Sequence, residues 1–240
     1  MIPAMNQNAM PDVAARLAAV RDRIREAEQT HGREPGSVEL LAVSKRQPLD
    51  AMQTAYEAGQ RAFGENYLQE GVDKRQAMTA TDIEWHFIGA LQSNKTRPAA
   101  EGFDWVHAVD RLKIARRLSE QRPETLGALQ CCIQVNVSGE ASKAGVSPQA
   151  LPELAHAVAE LPRLRLRGLM TLPEAVTGFE AQRAAFSQLR QLQEALIDDG
   201  LALDTLSMGM SNDLEAAIAE GATLVRLGTA VFGPRPEKTP

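Results

Sequence analysis

Val38-Glu39-Leu40-Leu41-Ala42-Val43-Ser44-Lys45 is a short, nearly continuous apolar run that ends on a lysine. A strand covered on both faces has this pattern, and parallel sheets require such strands. Pro48 then opens a helix that runs through Met52, Ala55 and Tyr56 to Gly59, with proline in the first turn and glycine at the stop. The same alternation repeats along the chain. Further strand patterns fall near 61–64, 85–89, 105–109, 130–137, 166–171, 205–209 and 223–228, eight with the first. Helical patterns lie between them, around Leu68 and over 94–100, 112–118, 151–161, 179–197 and 214–219. Strands alternating with helices of this length imply right-handed βαβ units, and eight of them close into a barrel. The alternative is an open, doubly wound sheet.

Ahead of the first strand, Asp12 precedes Val13, Leu17, Val20, Ile24 and Ala27, a four-and-three spacing that lays one apolar stripe on a helix with Asp12 as its cap. The expected fold is therefore α/β, a single (β/α)8 TIM barrel with an extra N-terminal helix. The barrel is expected over 11–236 and a short tail over 237–240. With 240 residues, 44% of them hydrophobic, the chain can build one large core. Such a core buries roughly 70–75% of the surface the unfolded chain exposes, with no metal or disulfide staple needed.

A net charge of −5 argues against nucleic acid or an anionic membrane as the main partner, because both need a basic face. Any phosphate must then be held by local geometry. The two cysteines, Cys131 and Cys132, are adjacent, and neighbours on a strand point to opposite faces, so no bridge between them is expected. Together with the lack of a basic, apolar leader and of any run near the ~20 apolar residues of a membrane span, this predicts a reduced, cytoplasmic protein.

Several residues do not belong in a barrel core. Lys45 stands where the first strand leaves the barrel, and function in this fold lives at the C-terminal ends of strands. A lysine partly desolvated there loses its proton more readily than in water, and the neutral amine attacks aldehydes; a plain surface lysine is the alternative. Arg226 interrupts the apolar eighth strand, and a buried guanidinium wants a partner. Around it, 207–213 and 228–233 carry glycines at the last two loops, where this fold commonly binds phosphate. There Ser211 either donates to phosphate or caps the following helix. The stretch 228–233 has no following Lys-Ser or Lys-Thr, so it is not a nucleotide P-loop. Asn66 and His86 also sit at strand exits, where either one alone reads as well as a satisfied structural group. His31, His107 and His156 have no ligand spacing to one another or to cysteine, so no metal is expected.

Ala42-Val43-Ser44-Lys45, Phe63-Gly64-Glu65-Asn66-Tyr67, His86-Phe87-Ile88-Gly89 with Leu91-Gln92-Ser93-Asn94-Lys95, and Gln134-Val135-Asn136 follow one another along the chain. They continue with Ser142-Lys143-Ala144-Gly145, Gly168-Leu169-Met170-Thr171, Ser207-Met208-Gly209-Met210-Ser211 and Arg226-Leu227-Gly228-Thr229-Ala230-Val231-Phe232-Gly233. As a set they resemble the pyridoxal phosphate homeostasis proteins of the YggS/PROSC type, over nearly the whole chain. Residues 1–10 lie outside the resemblance and are expected to be disordered. The resemblance implies a fold-type III barrel like the N-terminal domain of alanine racemase, without the racemase's additional β domain, and pyridoxal 5′-phosphate as cofactor. It implies that Lys45 carries the cofactor as an internal aldimine and that Arg226 faces the pyridine nitrogen. Ser211, with the backbone at Gly228 and Thr229, would hold the phosphate, while Asn66, His86 and Met208 would line the cofactor. The chain departs at Arg46-Gln47 and Leu172-Pro173-Glu174, neither of which carries an assigned role.

An arginine at the ring nitrogen keeps that nitrogen unprotonated and weakens the cofactor as an electron sink. The expected function is therefore holding, protecting and passing on pyridoxal phosphate inside the cell, by a monomer that meets apo-enzymes as transient acceptors, without dedicated turnover. Whether Lys143 takes part in transfer is open. One alternative is an amino acid racemase with weak activity, which needs a second proton carrier opposite the lysine. The chain has only Tyr56 and Tyr67 to offer, and of these only Tyr67 is near a strand exit. The other alternative is a barrel aldolase that forms its Schiff base with a substrate on Lys45.

Overall fold

Eight parallel strands succeed one another around a closed barrel: β1 (Glu39–Val43), β2 (Ala62–Glu65), β3 (Glu84–Phe87), β4 (Trp105–Val109), β5 (Leu129–Gln134), β6 (Leu164–Met170), β7 (Thr205–Ser207) and β8 (Leu224–Leu227). The seam closes where β8 pairs with β1, setting Leu41 beside Arg226, and the open-sheet alternative falls with that pairing. The computed structural model describes residues 10–138 and 144–234. Ser142, Lys143, the 237–240 tail and all but Met10 of the stretch expected to be disordered lie outside the described residues.

Helix α1 (Met10–Thr30) precedes the barrel, and α2 (Leu49–Glu57), α3 (Leu68–Ala77), α4 (Thr96–Gly102), α5 (Leu112–Gln121), α6 (Leu151–Ala159), α7 (Phe179–Asp198) and α8 (Leu214–Ala219) lie between strands. The predicted stripe of α1, Val13, Leu17, Val20, Ile24 and Ala27, is wholly buried, and the helix packs on α2 and α8. Burying each larger member contributes on the order of 1.5–3 kcal/mol. Met10 already belongs to this helix, so it begins two residues before Asp12, which lies in the first turn and not at the cap. The expected glycine loop at 228–233 is another correction: it holds a four-residue helix, α9 (Thr229–Phe232), between Gly228 and Gly233. Gly233 turns the chain at φ 80°, a conformation that costs a residue with a Cβ.

Strand alternation divides the core into two layers. Leu40, Ala42, Phe63, Cys131, Met208 and Val225 pack with the buried faces of the helices. Inside the barrel, Leu41, Ala62 and Leu224 form one apolar cluster, and Trp105, Ala108, Cys132 and Met170 another. The adjacent cysteines are thus buried, free and on opposite sides of the wall. Among the described residues no helix is long and apolar enough to cross a membrane.

Candidate functional site

A cavity of about 340 Å³ opens at the C-terminal mouth of the barrel. Of the residues expected at a site, it brings together Lys45, Asn66, Ser211, Arg226, Gly228 and Thr229. Lys45 leaves β1, Asn66 leaves β2, Ser211 follows β7, Arg226 points in from β8 and Gly228 and Thr229 follow it, so one rim gathers residues up to 184 positions apart, counted from Lys45 to Thr229. Gln47, Val43, Ile88, Met170, Leu172 and Met210 complete the lining. Gln47 directly follows the Lys45-Arg46 pair and Met210 lies within the quoted 207–211 motif, so both were within reach of a reading that asked what flanks the rim.

Arg226 is buried and donates from Nη1 to Ser207 Oγ at 2.7 Å and from Nη2 to the Thr171 carbonyl at 2.8 Å. Neither acceptor carries a charge. Burial therefore dominates and lowers its pKa to about 10, which leaves a guanidinium at neutral pH with further N–H groups for the cavity it lines.

The chain on both sides of Lys45 is clamped. Lys74 Nζ donates to the Ser44 carbonyl at 2.6 Å, to Glu65 Oε1 at 2.9 Å and to Glu70 Oε1 at 2.6 Å. The same Glu70 oxygen accepts the Arg46 backbone N–H at 2.5 Å, and the Ser44 hydroxyl donates to Glu65 at 2.6 Å. Burial raises the pKa of Glu65, and the charge of Lys74 opposes the shift. Arg46 itself is held at φ 59°, rare for a residue with a Cβ. Residue types alone do not reveal this clamp, because its members lie on β1, β2 and α3.

Asn66 carries a buried Oδ1 without a hydrogen-bond partner, at a residue that lines the cavity. Its backbone is pressed against Gly89, where a Cβ would come within 2.2 Å of the Asn66 carbonyl oxygen. Ser211 is not the cap of α8: that position belongs to Asp213, whose side chain makes no capping hydrogen bond. The Ser211 carbonyl is held by Arg23 Nη1 at 2.8 Å, and Arg23 pairs with Glu215 at 2.6 Å, so α1 braces the β7 loop.

His86 and Met208 are not brought to the cavity. Met208 follows Ser207, so alternation turns it outward into the helix-facing layer. His86 is fully buried inside the barrel, stacked on Trp105 with 5.3 Å between ring centroids. Its Nδ1 lies 2.9 Å from His107 Nε2, and His107 Nδ1 lies 2.9 Å from Ser207 Oγ. His107, which spacing arguments leave without a role, is thus central to a polar file that ends at Arg226. Only the barrel's closure makes that file visible. Tyr67 bonds to Arg46 Nη2 at 2.9 Å and Tyr56 to Asp82 at 2.6 Å, and neither tyrosine lines the cavity.

Comparison with known proteins gives concordant findings. The profile of the alanine racemase N-terminal domain family matches residues 15–236. The chain is 61% identical over 226 residues to the pyridoxal phosphate homeostasis protein of Pseudomonas aeruginosa, covering 94% of this chain and 97% of that one. The structure of PipY of Synechococcus elongatus with pyridoxal phosphate bound is similar at a TM-score of 0.81 and 39% identity, over 92% of this chain and all of PipY. Alanine racemase from Corynebacterium glutamicum shares the fold at a TM-score of 0.68 and 18% identity, and this chain spans 63% of it.

Proposed function

Because this chain belongs to the alanine racemase N-terminal domain family, and within it to the pyridoxal phosphate homeostasis proteins, we propose that it binds pyridoxal 5′-phosphate in the mouth cavity and holds it for delivery. The observation that carries the reading is the meeting of an amine, a guanidinium, a hydroxyl and a helix start in one cavity: Lys45, Arg226, Ser211 and Thr229. The residues present fit the cofactor. Asn66 supplies an unpartnered buried polar atom, and α9 begins at the rim, where the Val231 and Phe232 N–H groups bond the Gly228 carbonyl and those of Thr229 and Ala230 come before them.

Pyridoxal phosphate supplies an aldehyde that condenses reversibly with a primary amine. In this reading Lys45 would be the amine that holds the cofactor, with water as the by-product of the condensation. The clamp on Ser44 and Arg46 fixes where the lysine stem starts. Ser211 and the backbone at Gly228 and Thr229 would hold the phosphate, and Arg226, a donor only, would meet the ring nitrogen and leave it unprotonated. That arrangement suits storage better than carbanion chemistry. Racemisation needs a second proton carrier in the cavity, and neither tyrosine stands there. With both thiols buried and unbridged, we assign the protein to the reducing cytoplasm.

Borohydride reduction after incubation with pyridoxal phosphate, followed by peptide mass spectrometry, tests the reading. A yellow protein bleached by reduction, with the adduct on Lys45 and no exchange of solvent deuterium into alanine, is the expected result. An adduct on another side chain, or none, overturns the lysine assignment. Rapid exchange that disappears in Lys45→Ala would instead make the protein an enzyme.

A further inference from the structure

Inside the barrel, Arg226 Nη1, Ser207 Oγ, the two nitrogens of His107 and Nδ1 of His86 stand in a continuous line with links of 2.7, 2.9 and 2.9 Å. Below His86 the hydrogen bonds stop: its buried Nε2 has no hydrogen-bond partner and faces, at 3.6 Å, the carboxylate of Glu84, the first residue of β3, at the end of the barrel opposite the cavity. This file crosses an otherwise apolar interior, and Ser207, His107 and His86 are all fully buried. Three polar side chains in such a place are costly unless their hydrogen bonds are made.

The ends of the file set its direction. An arginine only donates, so Ser207 Oγ accepts from Arg226 and its own hydrogen is left for His107 Nδ1. A neutral imidazole has one N–H, so His107 then carries it on Nε2 and donates to His86 Nδ1. By the same count His86 carries its hydrogen on Nε2, toward Glu84. The far end agrees, since a carboxylate only accepts, and the contact with His86 lowers the pKa of Glu84. The reverse polarity would strand the Ser207 hydrogen and point an imidazole lone pair at a carboxylate.

We propose that Ser207, His107 and His86 are positioning residues that orient the Arg226 guanidinium toward the cavity through a one-way hydrogen-bond file whose last ring, His86, turns Nε2 toward the Glu84 carboxylate. Two N–H groups of Arg226 are committed to Ser207 and the Thr171 carbonyl, which directs the rest of the fork to the mouth. Burial pushes His107 well below the ordinary imidazole range and keeps the central link neutral. Charged groups acting on the pair are Glu39 from β1, Glu84 from β3 and Arg226 from β8, and Arg167 from β6 acts on both carboxylates. The link from file to ligand rests on the proposed cofactor site, whereas the file itself is read in the protein alone.

Long-range ¹H–¹⁵N correlation spectra of the ligand-free protein, at pH about 8, above the ordinary histidine pKa, report which ring nitrogen bears hydrogen. His86→Gln and His107→Gln assign the signals. Nε2–H on both rings is expected, and Nδ1–H on His107 overturns the proposal. A second pair of variants tests positioning by cofactor titration. Ser207→Ala should weaken pyridoxal phosphate binding about tenfold, and Ser207→Thr, which keeps the hydroxyl, should restore it. Ser207→Ala binding as tightly as the parent refutes positioning, whatever its melting temperature. The tautomer result holds whether or not Lys45 carries the cofactor, so failure of that assignment and failure of this one are distinguishable.

Discussion

Lys74 Nζ donates to the Ser44 carbonyl at 2.6 Å, so a buried ammonium on α3 holds the backbone one residue before Lys45. The same ammonium neutralises Glu65, which is fully buried. Lys74→Met strands that carboxylate, and breaking such a pair costs about 3–5 kcal/mol. The urea midpoint should fall accordingly. The double variant Lys74→Met with Glu65→Gln should recover much of the loss, and no recovery would refute the pairing account.

Lys45→Ala and Arg226→Ala should part company. The first removes the proposed covalent link yet keeps the anion grip, so gel filtration should retain bound cofactor that borohydride no longer fixes. The second should weaken binding by about ten- to a hundredfold, the range for lost hydrogen bonds to a charged group. Equal affinity in Arg226→Ala and the parent would displace that side chain from the site.

His107 ties stability to pH. Its folded pKa lies well below its unfolded value of about 6.5, because burial disfavours the imidazolium. The unfolded chain then binds more protons as pH falls below about 6.5, and stability declines by up to about 1.4 kcal/mol per pH unit until the folded pKa is reached. Above about pH 6.5 this contribution is fully present. Denaturation midpoints from pH 8 to about pH 5 should fall more steeply for the parent than for His107→Gln, and parallel curves would contradict the assignment.

Gly89→Ala should injure the site from a distance. The new Cβ would meet the Asn66 carbonyl oxygen at 2.2 Å, and backbone cannot swing away as a side chain can. A loss of about 1–3 kcal/mol, typical of overpacking, should accompany weaker cofactor binding as Asn66 is displaced. Calorimetry and cofactor titration on one sample check both.

Neither cysteine should react in the native state. Burial pushes the Cys131 thiol up to about 12 and Cys132 well above the ordinary range, so almost no thiolate exists at pH 8. Iodoacetamide labelling should stay near zero until denaturant is added, when both label.

The strand order was legible because a parallel strand buried on both faces must be apolar, and β4 forms over the very residues, Trp105–Val109, that the pattern marks. The rim was legible for a similar reason. Lys45 and Arg226 interrupt apolar runs, and an interruption that survives in a core needs a use. Alternation around Met208 was equally readable, yet motif membership outweighed it, and the structure turns that side chain away.

The sequence by itself determined a closed eight-stranded α/β barrel with its candidate cofactor residues at strand ends, since periodicity and local composition carry that information along the chain. Only the tertiary structure decided what stands behind those residues. The Lys74 clamp joins β1, β2 and α3, and the file from Arg226 to Glu84 joins β8, β7, β4 and β3. Such links depend on which side chains face one another across a closed barrel, and no spacing within a single element encodes that.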